Sequence, residues 1–213
     1  MTKPLVMIGS GGHAAVLFDI LRQNKREVIA VISPKELPIN DVFNGIAHLC
    51  RDDDVLNFDK KAISLINGVG SLPGSRLRAN LYQYFVELGY EFETVISKNA
   101  IVSDYATLGK GVQVMAGAII QTGVNIGANS IINTGAIVDH DCRLGQNNHI
   151  APGAVLSGQV TSKSNVHFGT GASIIQSINI GANVVVGAGA TITKDVEENT
   201  VCFPACITKK VVK

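Results

Sequence analysis

The sequence predicts two architectures in one chain: a small parallel α/β sheet first, then an all-β helix of stacked coils. Three observations predict it. Residues 96–197 divide into 17 consecutive six-residue blocks without an insertion or deletion. Sixteen of the 17 blocks begin with an apolar residue, Ser162 being the exception. Before Ile96 the period changes, and strand-like runs alternate with helical spacing. A fixed short period over this length means coils that each bury an apolar rung on the next. Alternating strands and helices imply a parallel sheet.

The elements follow in order. Leu5–Ile8 is an apolar run that stops at Gly9. Residues 14–24 place Val16, Leu17, Ile20 and Leu21 at helical spacing. Val28–Ile32 is strand-like again, and residues 34–58 are irregular. Residues 63–67 form another strand candidate, stopped by Gly68. Residues 76–88 form a helix ended by Gly89, and 90–95 a last strand. These elements make residues 1–95 a Rossmann-like α/β domain. The hexads make residues 96–200 a β-helical domain, and 201–213 a C-terminal tail.

Within a hexad the fifth position is small or β-branched, as at Ala100, Ala106, Val112, Ala118, Val124, Ser130, Ala136 and Cys142. Six residues suit one short strand and a corner, so three hexads make an 18-residue triangular coil. Gly109, Gly127 and Gly145 at the second position, with Asn129, Asn147 and Asn165 at the fourth, suit corners with unusual dihedrals.

Composition excludes several classes. A net charge of +1 over 213 residues gives no field for nucleic acid or an anionic membrane. No stretch reaches membrane-spanning length, and the N-terminal apolar run is too short for a signal peptide. Cys50, Cys142, Cys202 and Cys206 show no C-x-x-C pair, which suits free thiols in a reducing cytoplasm. Only 10 of the 102 repeat residues are charged, so other copies of the chain are expected to cover part of that surface.

The chemistry-bearing cluster is Asn133-Thr-Gly-Ala-Ile-Val-Asp139-His140-Asp141-Cys142. A carboxylate beside His140 favours the imidazolium and fixes the tautomer, which suits a base near neutral pH. The competing reading is a corner histidine bonded for structure. Eighteen residues beyond His140 stands Gly158, one coil on in the same column. Its backbone N–H can approach a ligand closely and hold an oxyanion, or it can be an ordinary corner glycine. His149 and His167 are also 18 apart and stack on another column. No H-x4-H pair exists, so no metal is expected. Cys142 occupies an inward position and reads as a buried rung. With no G-x-S-x-G either, direct transfer between two bound substrates is favoured over a covalent intermediate.

At the N-terminus Gly9-Ser10-Gly11-Gly12-His13-Ala14 joins a strand to a helix. Backbone N–H groups there, with the helix dipole, suit phosphate. The match to a dinucleotide fingerprint is formal only, because the second strand ends in Ser33-Pro34 with no acid for a ribose. Gly68-Val-Gly70-Ser71 forms a second glycine turn at the same sheet end. It either faces the same ligand or is simply a tight turn.

Together, the glycine–histidine turn, the hexads and V-D-H-D-C resemble one family. It comprises the bacterial nucleotide-amino-sugar N-acetyltransferases and sialic-acid O-acetyltransferases among the hexapeptide-repeat acyltransferases. The resemblance implies a left-handed parallel β-helix and a cytoplasmic homotrimer with active sites between subunits. It implies acetyl-CoA as co-substrate and the 4-amine of a UDP-4-amino-4,6-dideoxy sugar as acceptor. His140 would be the general base and Asp141 its orienting acid. Asn133 matches a position near the substrate amine. His149, Gly158 and Ala188 match positions along the cofactor. Gly11, Gly12 and His13 match the uridine diphosphate pocket; Gly9, Ser10, Gly68 and Gly70 are candidates for the same ligand from the two glycine turns alone. Asp139 is a further helper position. Two departures stand out. Ser33-Pro34 replaces an Asp pair near the nucleotide base, and Cys202 precedes Phe203-Pro204-Ala205 where the family has Gly-x-Pro-Ala. Sialic acid and GDP-perosamine are alternative acceptors, and a non-catalytic nucleotide-sugar-binding trimer is the alternative of another class.

Overall fold

The structure, a computed structural model, describes residues 2–34, 37 and 42–204. Residues 205–213, most of the expected tail, lie outside the described residues, as do 35, 36 and 38–41.

The N-terminal sheet has four parallel strands, β1 (Leu5–Ile8), β2 (Val28–Ile32), β3 (Ala47–Leu49) and β4 (Ser64–Asn67), in the order β3-β2-β1-β4. Helix α1 (Gly12–Gln23) follows β1 and buries Leu17, Ile20 and Leu21 of the expected stripe, with Ala14 and Phe18 in it as well, whereas Val16 is exposed. Helix α2 (Leu77–Glu87) follows β4. The strand expected over 90–95 does not form. Its pairing is reduced to one bridge between Leu65 and Phe92, and Val95 already belongs to the first coil. The irregular stretch contains β3 and a two-turn 3-10 helix, Asp52–Asn57. Its three leading aspartates, Asp52 to Asp54, sit at the positive end of that helix, a placement the dipole favours.

From Val95 onward the chain is a three-sided parallel solenoid. Its sheets have seven, six and five two-residue strands. Up to Ile192 each coil pairs in register with the residue 18 further on, as Ile131 does with His149 and Ile137 with Val155, and the last pairings step by 16, as in Ile180 with Val196. The last strand, Val201–Cys202, pairs with Val185–Val186, so the solenoid runs two residues into the segment expected as tail. Hexad-leading residues fill its core, and Val114, Ile132, Ile150, Phe168 and Val186 form one fully buried column.

The exception at Ser162 has a partner. The next fifth position after Cys142 is Asn148, and its Nδ2 donates to Ser162 Oγ at 2.7 Å. Asn148 Oδ1 accepts from Val166 N at 2.7 Å, and its own N–H donates to Ser130 Oγ. Buried polar atoms must find such partners or lose stability. At the corners, Asn129, Asn147, Asn165 and Asn183 adopt φ of 58–61°. Here Asn tolerates the left-handed region, as the sequence predicts. The second-position glycines serve another purpose. A Cβ at Gly109 would lie 2.7 Å from Ala128 N, so they permit close stacking of coils rather than an unusual dihedral.

The α/β domain packs on the seven-stranded sheet. Val95, Met115 and Ile131 share a core with Leu5, Leu17 and Ile66. Lys98 Nζ reaches Gln23 O, and Arg76 reaches Asn183 Oδ1. This docking leaves one of the other two faces apolar. The outward column of the six-stranded sheet is Ile101, Ile119, Ile137 and Val155, followed by the polar Ser173 and Thr191. The equivalent column of the five-stranded sheet is Thr107, Asn125, Arg143, Thr161 and Asn179.

Candidate active site

His140 stands on the corner between the six- and five-stranded sheets, after Ile137–Val138 and before Arg143–Leu144. Its Nδ1 lies 2.9 Å from Asp141 Oδ2. The carboxylate can only accept, so Nδ1 carries the proton and Nε2 is left as the acceptor. The His140 backbone N–H donates to Asp139 Oδ1 at 2.8 Å. The ring is half exposed. The Asp141 hydrogen bond, with the nearby charge of Asp139, raises its pKa above the ordinary histidine value.

Two glycines shape this corner. A Cβ at Gly158 would overlap the His140 ring, lying 2.5 Å from Cε1. The column predicted from the 18-residue step therefore exists, and it gives the imidazole a flat seat. The Gly158 N–H makes no hydrogen bond among the described residues. One coil earlier, a Cβ at Gly123 would lie 2.5 Å from Asp141 Oδ1. Gly123 also has φ +72°, and Asp141 itself φ +60°. The carboxylate thus fits only because residue 123 lacks a side chain. Gly123 was not apparent from the motif, although the 18-residue step points to it.

The glycine turns converge at the carboxyl end of the N-terminal sheet. Gly9, at φ +100°, packs against Gly68, where a Cβ would be 2.8 Å from Ile8 O and 2.9 Å from Ala14 Cβ. Gly68 therefore has a packing reason. A Cβ at Gly11 or Gly12 would meet nothing within 4 Å. Gly11 caps α1 with no side-chain bond and no acid in the first turn, so its N–H groups face open space. Ser10 Oγ donates to Ser33 Oγ at 2.7 Å at the end of β2.

His13 is held by Gln113 Oε1 at 2.8 Å, and the Gln113 amide in turn donates to Asn67 O. Burial, with Arg78 nearby, lowers the His13 pKa to about 4. His149 lies between domains: Nδ1 meets Ser71 O at 3.2 Å and Nε2 meets Asn133 Nδ2 at 3.1 Å. Since the carbonyl only accepts, Nδ1 is protonated and Nε2 accepts from Asn133. Burial, with His167 edge-on at 4.8 Å, lowers its pKa to about 3. His167 is lowered by burial as well. Arg78 was missed by sequence reasoning, which has no signal for a cation on an ordinary helix face. It is 5% exposed, and carbonyls of Asn67, Val69 and Asn129 hold it.

The expected residues thus fall into three places. His140, Asp141 and Gly158 share one corner. Gly9 to His13, Gly68 and Gly70 share the sheet end, adjoining Asn133 and His149 on the seven-stranded face. Ala188 lies on the corner between the seven- and six-stranded sheets, beside the Gly187 contact with Pro204. Within one chain His140 is on the edge opposite the face that carries the glycine turns. Cys142 is fully buried, and burial pushes its thiol up to about 11, which leaves no thiolate to act as a nucleophile near neutral pH. Among the described residues, no group of three His, Cys, Asp or Glu side chains could hold a metal, and no helix is long and apolar enough to cross a membrane.

A three-sided solenoid of hexads with an exposed His–Asp pair on one edge defines a class, the hexapeptide-repeat acyltransferases. Comparison with known proteins agrees. The PglD N-terminal domain family matches residues 4–85, and the bacterial transferase hexapeptide family (six repeats) matches 123–158. PerB from Caulobacter crescentus, solved with CoA and GDP-perosamine, is 33% identical over 94% of each chain, with a TM-score of 0.84. The acetyltransferase domain of PglB from Neisseria gonorrhoeae, solved with acetyl coenzyme A, is 29% identical over 94% of this chain and 96% of that one, with a TM-score of 0.86. WeeI from Acinetobacter baumannii shares the fold at 24% identity, over 94% of this chain and 96% of that one, with a TM-score of 0.79. A search of curated proteins by sequence gives no match. The chain belongs to the hexapeptide-repeat acetyltransferases with a PglD-type N-terminal domain, and its solenoid is the left-handed parallel β-helix of that family.

Proposed function

We propose that this chain transfers the acetyl group of acetyl-CoA to the 4-amine of a nucleotide-linked 4-amino-4,6-dideoxy sugar, with UDP as the nucleotide, in cytoplasmic bacterial glycan synthesis. One observation carries the chemistry. Asp141 binds Nδ1 of His140, so Nε2 presents a lone pair at an open corner. In the reaction the amine nitrogen attacks the thioester carbonyl and Nε2 takes the amine proton. The tetrahedral oxyanion meets the free Gly158 N–H, and coenzyme A leaves as the thiolate. Most of the acceleration comes from holding amine and thioester together, with roughly 10²–10⁴-fold from the base.

The active unit is a homotrimer in this reading. The glycine turns lie on one face and His140 on the opposite edge, so a ligand seated on the turns reaches His140 only of a neighbouring copy. The apolar column from Ile101 to Val155 borders the His140 corner and suits burial against that copy. Acetyl-CoA would run from the Gly158 amide toward the turn of Ala188, with Asn133 and His149 on the acceptor side.

A second reading, GDP-perosamine as acceptor, is favoured by two observations. Ser33 stands where a ribose- or base-binding acid is expected, and the 33% identical PerB was solved with that ligand. A coenzyme-A release assay tests both, with acetyl-CoA against the UDP amino sugar, its GDP counterpart and free sialic acid. Release with the UDP amine alone supports the first reading. Release with the GDP sugar or sialic acid alone replaces the acceptor and keeps the base, and no release with any acceptor overturns the catalytic reading.

A further inference from the structure

We propose that the cleft between the start of α2 and the solenoid binds a small oxyanion, a phosphate or carboxylate group, apart from the His140 corner. The cleft, of about 140 Å³, lies between Ser71–Ala79 and the corner asparagines Asn147, Asn165 and Asn183. Its volume is below the roughly 300–1,000 Å³ of sites for drug-sized ligands. It suits one compact group and not a nucleoside.

Buried polar atoms without a partner sit behind its lining. Arg78 lines the cleft and has no carboxylate partner among the described residues. Its Nε and Nη1 are taken by the Asn129, Asn67 and Val69 carbonyls, at 2.7–3.2 Å. Its Nη2 is buried with no partner, and so is Nδ1 of His167, which lines the same cleft. A buried cation left without an anion is costly. Burial lowers the Arg78 pKa to about 9, which still leaves it charged at neutral pH. A small shift of the Arg78 side chain that brings Nη2 to an anion in the cleft would meet both needs.

The surroundings carry the same sign. No Asp or Glu lines the cleft, and Arg76 stands at its rim, held by Asn183 Oδ1 at 2.9 Å. The 11-residue helix α2 begins there with no acid in its first turn; Leu77 N–H donates to Ser75 Oγ at 3.4 Å, and the dipole of the helix favours an anion at this end. The asparagine ladder is also interrupted at this point. Asn129 donates to Asn147, Asn165 to Asn183, and Asn183 to Asn199, at 2.9, 3.3 and 2.9 Å. No bond joins Asn147 to Asn165, which leaves the Asn147 amide as a further donor at the cleft.

Calorimetric titration of the full-length protein in phosphate-free buffer tests this, with inorganic phosphate and acetate as probes. The expected result is one saturable site per chain, weakened about tenfold by Arg78→Gln and several-fold by Arg76→Ala or Asn147→Ala. Should Arg78→Gln fail to fold, the two rim variants carry the test. Absence of saturable binding for both anions, or binding unmoved by either rim variant, overturns the proposal. Competition with CoA and dephospho-CoA identifies the source. Phosphate that competes with CoA alone marks the cleft as a seat for the 3′-phosphate, and phosphate that competes with neither marks it as a seat for a free anion. No arm depends on acetyl transfer, so failure here is separable from failure of the acceptor assignment.

Discussion

His140 and His149 are nine residues apart, half a coil of the solenoid, and they stand in opposite surroundings. His140 is on an open corner beside a carboxylate, and that partner raises its pKa. His149 is 8% exposed, lies between domains beside His167, and is lowered to about 3. Near neutral pH the first is poised to exchange a proton and the second stays neutral. The second then acts as a strut from Ser71 to Asn133. Residue type does not separate the two, and repeat position says only that His140 is on a corner and His149 in a strand. Burial and the charge next door separate them.

The sharpest way to break this contrast is to remove each ring. His140→Ala is expected to lower turnover by roughly 10²–10⁴-fold with an unchanged unfolding temperature, read by coenzyme-A release and calorimetry. His149→Ala is expected to cost about 1–3 kcal/mol of stability, because it strips hydrogen bonds from a buried site. If His149→Ala left stability intact while abolishing turnover, the strut assignment would fail.

Acid sharpens the contrast next. His149 and His13 stay neutral in the fold down to about pH 3 and 4, whereas the unfolded chain takes up these protons near 6.5. Their folded pKa values are depressed, so the unfolded state binds more protons below 6.5 and stability falls with pH from there to about 4. Each pH unit in that window is worth about 1.4 kcal/mol per histidine. Denaturant melts at pH 7 and 5 measure it, and equal midpoints would contradict it.

The smaller effects concern the corner itself. Asp141→Asn keeps a residue that tolerates φ +60° and removes the charge. The ascending limb of kcat/KM against pH should then move down toward the ordinary histidine value, with roughly tenfold lower turnover above it. Gly123→Ala should move the limb the same way by less, because the added methyl displaces the carboxylate without deleting it. In the Asp141→Asn background Gly123→Ala should have little further effect on the limb, since the two act through one contact. An additive shift would show that Gly123 acts elsewhere.

Much of this fold is legible in the chain. Sixteen apolar hexad starts give the solenoid, and the 18-residue step correctly places Gly158 at His140 and His167 at His149. The Asn148–Ser162 pair was hidden because neither residue shows that it answers the other across 14 positions. The strand expected over 90–95 is cut to the Leu65–Phe92 bridge because Val95 is already taken by pairing with Gln113 of the solenoid, which the alternation of 90–95 does not reveal.

By itself the sequence determined the period, the coil register, the glycine turns and the His–Asp pair. These are local or strictly periodic, so spacing alone carries them. Only the tertiary structure decided which face the α/β domain covers, and with it the burial of His13, His149 and Arg78. It also decided that the glycine turns and His140 stand on opposite sides of one chain. Charge state and site assembly depend on which surfaces meet, and that is set by packing between segments far apart in the sequence.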